Sequence, residues 1–241
     1  MRNKINMAVL RDRHIVLWLD FLIPVAILVI GTWLIRNYFW DLKLSGLFYL
    51  GNNNWWGMHN ALCTFMYRYG TIPALVLSIA ALGFFIVSFF AYNFYKWRRI
   101  CLFLILVMLL GPGLLVNGVL KEYWGRPRPR NIIPFGGKYV YEKPLEIDLS
   151  SPGSSFPSGH SAMGFYFFTL YFLVRGKRKK WTALAFIIAL LYGFFMGFVR
   201  IAQGGHFLSD ILWYGGIVYL SSALCYYLLK INSTLELTSS Q

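Results

Sequence analysis

Three short stretches hold most of the residues in this chain that could do chemistry. They are Lys121-Glu122-Tyr123-Trp124-Gly125-Arg126-Pro127-Arg128-Pro129, then Phe156-Pro157-Ser158-Gly159-His160-Ser161, then Arg200 through Asp210 with His206 between them. His206 and Asp210 are four residues apart, on one face of a helix. A carboxylate so placed accepts from one ring nitrogen, fixes the tautomer and leaves the other nitrogen to attack. His160 remains as a proton donor. Lys121, Arg128 and Arg200 form a cage for a dense anion. Arginine offers a planar fork that matches phosphate oxygens, and lysine a point charge. Pro127 and Pro129 stiffen the strand that carries Arg128. Ser158 and Gly159 open a predicted helix, where free N–H groups and the positive dipole end favour an anion. Gly159 also lets backbone approach closely. Arg126 is an additional cation, read either as a further phosphate contact or as a residue facing headgroups. Nucleophile with orienter, proton donor and electrostatic clamp are the parts for phosphoryl transfer.

The elements that must position these groups are membrane helices. Of 241 residues, 58% are apolar and 13% charged, against about 25% charged in average globular chains. A bilayer core takes about 20 apolar residues per helix. Six stretches qualify or nearly do: about 15–35, 71–95, 100–120, 158–174, 181–199 and 207–229. The expected fold class is therefore all-α, a polytopic six-helix bundle in a single domain over 1–241, with an interfacial helical segment between the first two spans. Gly111-Pro112-Gly113 should bend the third span. Gly193 and Gly197 should give a close helix contact in the fifth. The aromatic residues of Arg36–Gly70 read as interface anchors, and Asp20 as an interfacial residue near the cytoplasmic end of the first span. Three cysteines imply no disulfide framework.

Orientation follows from the basic loops. One side holds Arg2, Lys4, Arg11, Arg13, Lys96, Arg98, Arg99, Arg175, Lys177, Arg178, Lys179, Lys180 and Lys230. The other side holds Lys121, Arg126, Arg128, Arg200 and six more, and six of the nine acids. Both termini should thus be cytoplasmic, with all three polar stretches on the outer face. A net charge of +14 in so apolar a chain fits cationic loops beside a bilayer better than a nucleic-acid binder.

Lys-x6-Arg-Pro, Pro-Ser-Gly-His and Arg-x5-His-x3-Asp, in this order and topology, resemble the three motifs of the type 2 phosphatidic acid phosphatase (PAP2) superfamily. The resemblance implies that His206 attacks phosphorus and becomes a phosphohistidine, that Asp210 orients it, and that His160 protonates the leaving oxygen and then activates water. It implies that Lys121, Arg128, Arg200 and the amides near Ser158 and Gly159 hold the phosphate. It implies no metal and no cofactor. The family often has Ser before the third-motif Arg; Val199 stands there instead, so a hydroxyl contact to phosphate is missing. The expected activity is that of a phosphoric monoester hydrolase acting on a lipid phosphate, at the periplasmic face of a bacterial inner membrane. The 156–167 context resembles bacterial lipid A phosphatases. With Arg36, Lys43, Arg68, Arg130, Lys138 and Lys143 in the outer loops, the expected substrate is the 1-phosphate of lipid A. Phosphatidylglycerol phosphate, undecaprenyl diphosphate, a lipid phosphotransferase, and a non-catalytic lipid-binding or transport protein are the alternatives. The expected partners are the phosphorylated lipid and the bilayer, with no nucleic acid and no protein partner evident.

Overall fold

The computed structural model describes residues 2–120, 125–146, 155, 159–175 and 178–231, with backbone alone for 2–17, 92, 115–120, 159 and 160. Its helices are α1 (Arg2–Tyr38), α2 (Trp40–Gly46), α3 (Trp56–His59), α4 (Ala61–Tyr69), α5 (Ile72–Val87), α6 (Arg98–Met108), α7 (Gly159–Phe165), α8 (Phe168–Val174), α9 (Lys179–Ala202) and α10 (Leu208–Leu228). A small antiparallel hairpin, β1 (Tyr49–Gly51) with β2 (Asn54–Trp55), sits between α2 and α3. The expected all-α membrane bundle is the observed class.

Among the described residues five helical runs, not six, are long and apolar enough to cross a membrane: Trp18–Tyr38, Ala61–Val87, Asn93–Leu114, Lys179–Ala202 and Leu208–Leu228. The fourth expected span is the shorter apolar stretch Ser161–Val174. It breaks between α7 and α8, where buried Tyr166 donates to the Leu104 carbonyl at 2.9 Å and its own carbonyl accepts from Thr169 Oγ1 at 2.8 Å. The second span lies nearer the N-terminus than expected. Its C-terminus is capped at Ser88, where Arg98 donates to the Ser88 hydroxyl and carbonyl. A cation there satisfies the last carbonyls and complements the dipole, so the chain turns instead of continuing to 95.

At Gly111-Pro112-Gly113, where a bend was expected, the helix changes its winding. The α-helical pattern ends at Met108 and a wider π-type winding runs over Leu109–Leu120. Pro112 brings no N–H to the ladder, which forces a change of winding. The glycines of α9 give the expected close contact. A Cβ on Gly193 would stand 2.2 Å from the Phe165 ring and one on Gly197 2.4 Å from Ile211, so α7 and α10 approach the backbone of α9. Phe165, Ala162, Ala189, Ile211, Tyr214 and Val218 belong to one buried core cluster. An apolar cavity of about 810 Å³ lies between α1, α7–α8, α9 and α10, and none of the described residues of the three motif stretches lines it.

Candidate active site

The third motif is built by the turn between α9 and α10. Arg200 lies in the last turn of α9. Gly204 ends that helix in the left-handed region, φ +62°, and a Cβ there would meet the Trp55 ring at 2.3 Å. Glycine is thus required both by conformation and by space. The Gly205 N–H then returns to the Arg200 carbonyl at 2.8 Å. At the start of α10, Asp210 Oδ2 accepts from the Phe207 N–H at 2.8 Å, the reciprocal half of a capping box. His206 is held in the space between these two helix ends, 4% exposed.

The partner of the His206 ring differs from expectation. His206 Nδ1 lies 2.6 Å from the Ser155 carbonyl oxygen, and Asp210 Oδ2 is 3.7 Å away, beyond hydrogen-bond reach. A carbonyl only accepts, so in the neutral ring Nδ1 carries the proton and Nε2 holds the lone pair. Tyr214 donates to the same carbonyl at 3.0 Å and lies 3.3 Å from Nδ1. Asp210 acts one step away: it accepts from Ser155 Oγ at 2.7 Å and fixes the residue whose carbonyl fixes the imidazole. Burial pushes the His206 ring down to about 4, with the Arg200 and Arg128 charges adding to it and Asp210 opposing. Its neutral form therefore prevails at neutral pH.

Arg126 faces neither phosphate nor headgroups. It is 1% exposed. Its Nη1 donates to Asp210 Oδ1 at 2.6 Å and Ser209 Oγ at 2.8 Å, and its Nη2 to Asp41 Oδ2 at 2.8 Å and the Glu142 carbonyl at 3.1 Å. Its plane lies over the Phe207 ring at 4.4 Å. Burial alone would depress it, but Asp210 and Asp41 push it well above the ordinary arginine range. The two acceptors consume the fork that an anion would need. The Arg126 carbonyl accepts from the Ser155 N–H at 2.8 Å, which closes the network.

Arg200 is 7% exposed. Its Nη1 donates to Gln203 Oε1 at 2.8 Å, its guanidinium stacks 4.6 Å from the Tyr67 ring, and its Nε has no hydrogen-bond partner among the described residues. Arg128 is half-buried on the loop leading out of Arg126, and burial and then the Arg130 charge push its guanidinium down. That loop is docked by the Arg130 N–H on the Gly204 carbonyl at 3.1 Å. Gly159 and His160 open α7, but their side chains, and Lys121 and Ser158 entirely, lie outside the described residues. Among the described residues no group of three or more His, Cys, Asp or Glu is placed to hold a metal ion.

The arrangement therefore gives one neutral imidazole with a defined free nitrogen, buried beside two arginines whose charges bear on it. A neutral imidazole beside fixed positive charge is an arrangement that could attack an anionic group and hold it. The PAP2 superfamily pattern matches residues 100–233, from the start of α6 to beyond α10. The chain belongs to the PAP2 superfamily. Among PAP2 relatives, it is 33% identical over 192 residues to the lipid A 4'-phosphatase of Francisella tularensis subsp. novicida (strain U112), covering 78% of this chain and 86% of that protein. It is 35% identical over 121 residues to the lipid A 4'-phosphatase of Rhizobium leguminosarum, 48% of this chain and 50% of that one. It is 34% identical over 116 residues to phosphatidylglycerophosphatase B of Bacillus subtilis (strain 168), 45% and 49% of the two chains. No solved structure matches it.

The surroundings of His206 in this PAP2 chain include residues that the motif reading passed over. Asp41, Ser155, Ser209 and Tyr214 all hold these surroundings together and are all buried. Trp55, read with its neighbours as an interface anchor, is fully buried against Gly204 and packs with Ile132, Phe135 and Phe207. Trp40, Trp56, Phe65 and Tyr67 do remain exposed. Arg36, counted among the cations for a headgroup, pairs with Glu146 at 2.9 Å. Ser155 carried one local signal, its place directly before Phe156-Pro157-Ser158-Gly159-His160. Asp41 carried only its sign, an acid in an otherwise aromatic segment.

Proposed function

We propose that the protein is a lipid A phosphatase that removes the 4'-phosphate through a phosphohistidine on His206. The single observation that carries the chemistry is the 2.6 Å contact from His206 Nδ1 to the Ser155 carbonyl, which leaves Nε2 as the nucleophile. Nε2 attacks phosphorus, the bond from phosphorus to the sugar oxygen breaks, and His160 gives that oxygen its proton. Water then attacks the phosphohistidine, His160 takes the water proton, and the nitrogen–phosphorus bond breaks. Lys121, Arg128, Arg200 and the amides at Ser158 and Gly159 hold the phosphate oxygens throughout. Phosphate esters resist uncatalysed hydrolysis strongly, so fixed charge around the transferring group is the main demand on the site. No metal takes part.

The sequence reading favoured the 1-phosphate. The 4'-position is preferred because the relative named for it aligns over most of both chains. The distribution of basic residues supports cytoplasmic termini and a site on the periplasmic face of an inner membrane. Phosphatidylglycerol phosphate is the second substrate reading, supported by the similarity to phosphatidylglycerophosphatase B over about half the chain. The test is phosphate release from lipid A bearing only the 1-phosphate, lipid A bearing only the 4'-phosphate, and phosphatidylglycerol phosphate, in one detergent, with and without EDTA. The expected result is fastest release from the 4'-phosphate, undiminished by EDTA and absent in His206→Ala protein. Faster release from either other lipid overturns the substrate; release by the His206→Ala protein overturns the mechanism.

A further inference from the structure

Asp41 lies on α2, outside every motif and not in contact with His206, yet it is fully buried. Each contact to it is a donation: Arg126 Nη2 at 2.8 Å, the Ser209 N–H at 2.8 Å, Ser209 Oγ at 2.6 Å and Tyr141 OH at 3.3 Å. Arg126 thus stands between two buried carboxylates, Asp41 and Asp210. We propose that Asp41 is a positioning residue of the active site, acting on His206 through Arg126 and Asp210 and setting the charge that the imidazole meets when it takes on phosphorus. This rests on the reading of His206 as nucleophile.

The reason is charge balance. When Nε2 spends its lone pair on phosphorus and Nδ1 keeps its proton, the ring becomes cationic. It needs net negative charge behind it. Asp210 alone with Arg126 would form a neutral pair and offer the ring little. Asp41 shares the guanidinium, so the trio carries net −1 and Asp210 keeps its influence on Ser155 and the ring. In a buried site such charges act with little screening. Among the described residues the other groups facing His206 are Tyr214 and Asp210 on α10, the Ser155 carbonyl, Arg200 at the end of α9 and Arg128 on its loop. They are the same in every variant below.

A buried ion triad that merely held α2 in place would lose rate when broken, with no sign to the effect. The charge role has a sign. Asp41→Asn makes the trio neutral, disfavours a protonated His206 and moves the acid limb of the rate profile to lower pH. Arg126→Gln makes it −2 and moves the limb to higher pH. The double variant restores −1 and should return the limb to the wild-type midpoint, although it is the most altered structurally. Asp41→Glu keeps the charge and should keep that midpoint.

The experiment measures kcat for 4'-phosphorylated lipid A between pH 3 and 8, on detergent-purified full-length protein that elutes as a single species, with His206→Ala as control. Asp41→Asn should lower kcat ~10- to 100-fold, by analogy with the partners that orient metal-bound histidines, with the opposed limb shifts described. Limbs that do not move, or that move the same way in both single variants, overturn the proposal while an inactive His206→Ala protein leaves the functional reading standing. Activity in the His206→Ala protein overturns that reading instead.

Discussion

Two aspartate–arginine clusters, one buried and one partly exposed, occupy opposite ends of α10, and their contacts lead to different places. At its first turn, Asp210 meets Arg126 and, through it, Asp41. At its last, Tyr227 donates to Asp20 of α1, which also pairs with Arg175 and accepts from Tyr219 at 3.4 Å. Both clusters tie the N-terminal region to late elements, and in both the carboxylate raises the arginine against the effect of burial. Only the first continues to the imidazole proposed as nucleophile, through Ser155 to His206. The second ends on tyrosine hydroxyls and aromatic faces, with Arg175 stacked on Tyr171 and Phe172. A buried ion pair is by itself weak support for either stability or function; what separates these two is where the chain of contacts leads.

The sharpest way to break this comparison is the same substitution at both ends. Asp210→Asn should lower kcat on the order of 10²- to 10³-fold. That is less than the ~10⁴-fold loss when a carboxylate holds the catalytic tautomer directly, because here the Ser155 carbonyl holds it. Asp20→Asn should leave kcat unchanged. Equal losses in the two would dissolve the distinction. Next in size, Arg175→Gln leaves Asp20 buried without its cation and should lower stability by roughly 3 kcal/mol, read as thermal unfolding in detergent, with turnover per folded molecule intact. The smallest effect is on pH. With His206 held down to about 4, lowering the pH from 7 to 5 should cost the nucleophile less than about half its neutral fraction, whereas an ordinary histidine near 6.5 would lose most of it. The pH dependence of phosphoenzyme formation, corrected for the ionisation of the substrate phosphate near ~6, measures this.

The site was legible in the sequence where its parts are local. Arg200, His206 and Asp210 fall on one helix–turn–helix, so their spacing alone predicted that they lie near one another, though not that Ser155 and not Asp210 holds the ring. The network behind them was not legible, because its links join residues far apart in the chain. Asp41 to Ser209 spans 168 positions and Ser155 to Asp210 spans 55, and no periodicity encodes such pairs. For the same reason Arg126 read as a spare cation: its fork is occupied by carboxylates from two distant helices. Hydropathy found the membrane helices but misplaced ends that depend on single side chains, such as the Arg98 cap on Ser88. It also missed the break at Tyr166, which follows from a hydroxyl reaching α6. Composition placed Trp55 at the interface because an aromatic residue in an outer loop looks the same whether it faces lipid or a glycine turn. Val199, the departure from the family pattern, is 1% exposed and packs with Cys63 and Ala202; the apolar side chain is part of the wall behind Arg200.

The most direct test of the central claim is rapid quenching of the enzyme with lipid A labelled at its 4'-phosphate, followed by mapping of the label. The account predicts an acid-labile, alkali-stable phosphoprotein with the label on His206, formed within one turnover and absent from His206→Gln protein. Label on another residue, or steady hydrolysis by His206→Gln protein, would contradict it.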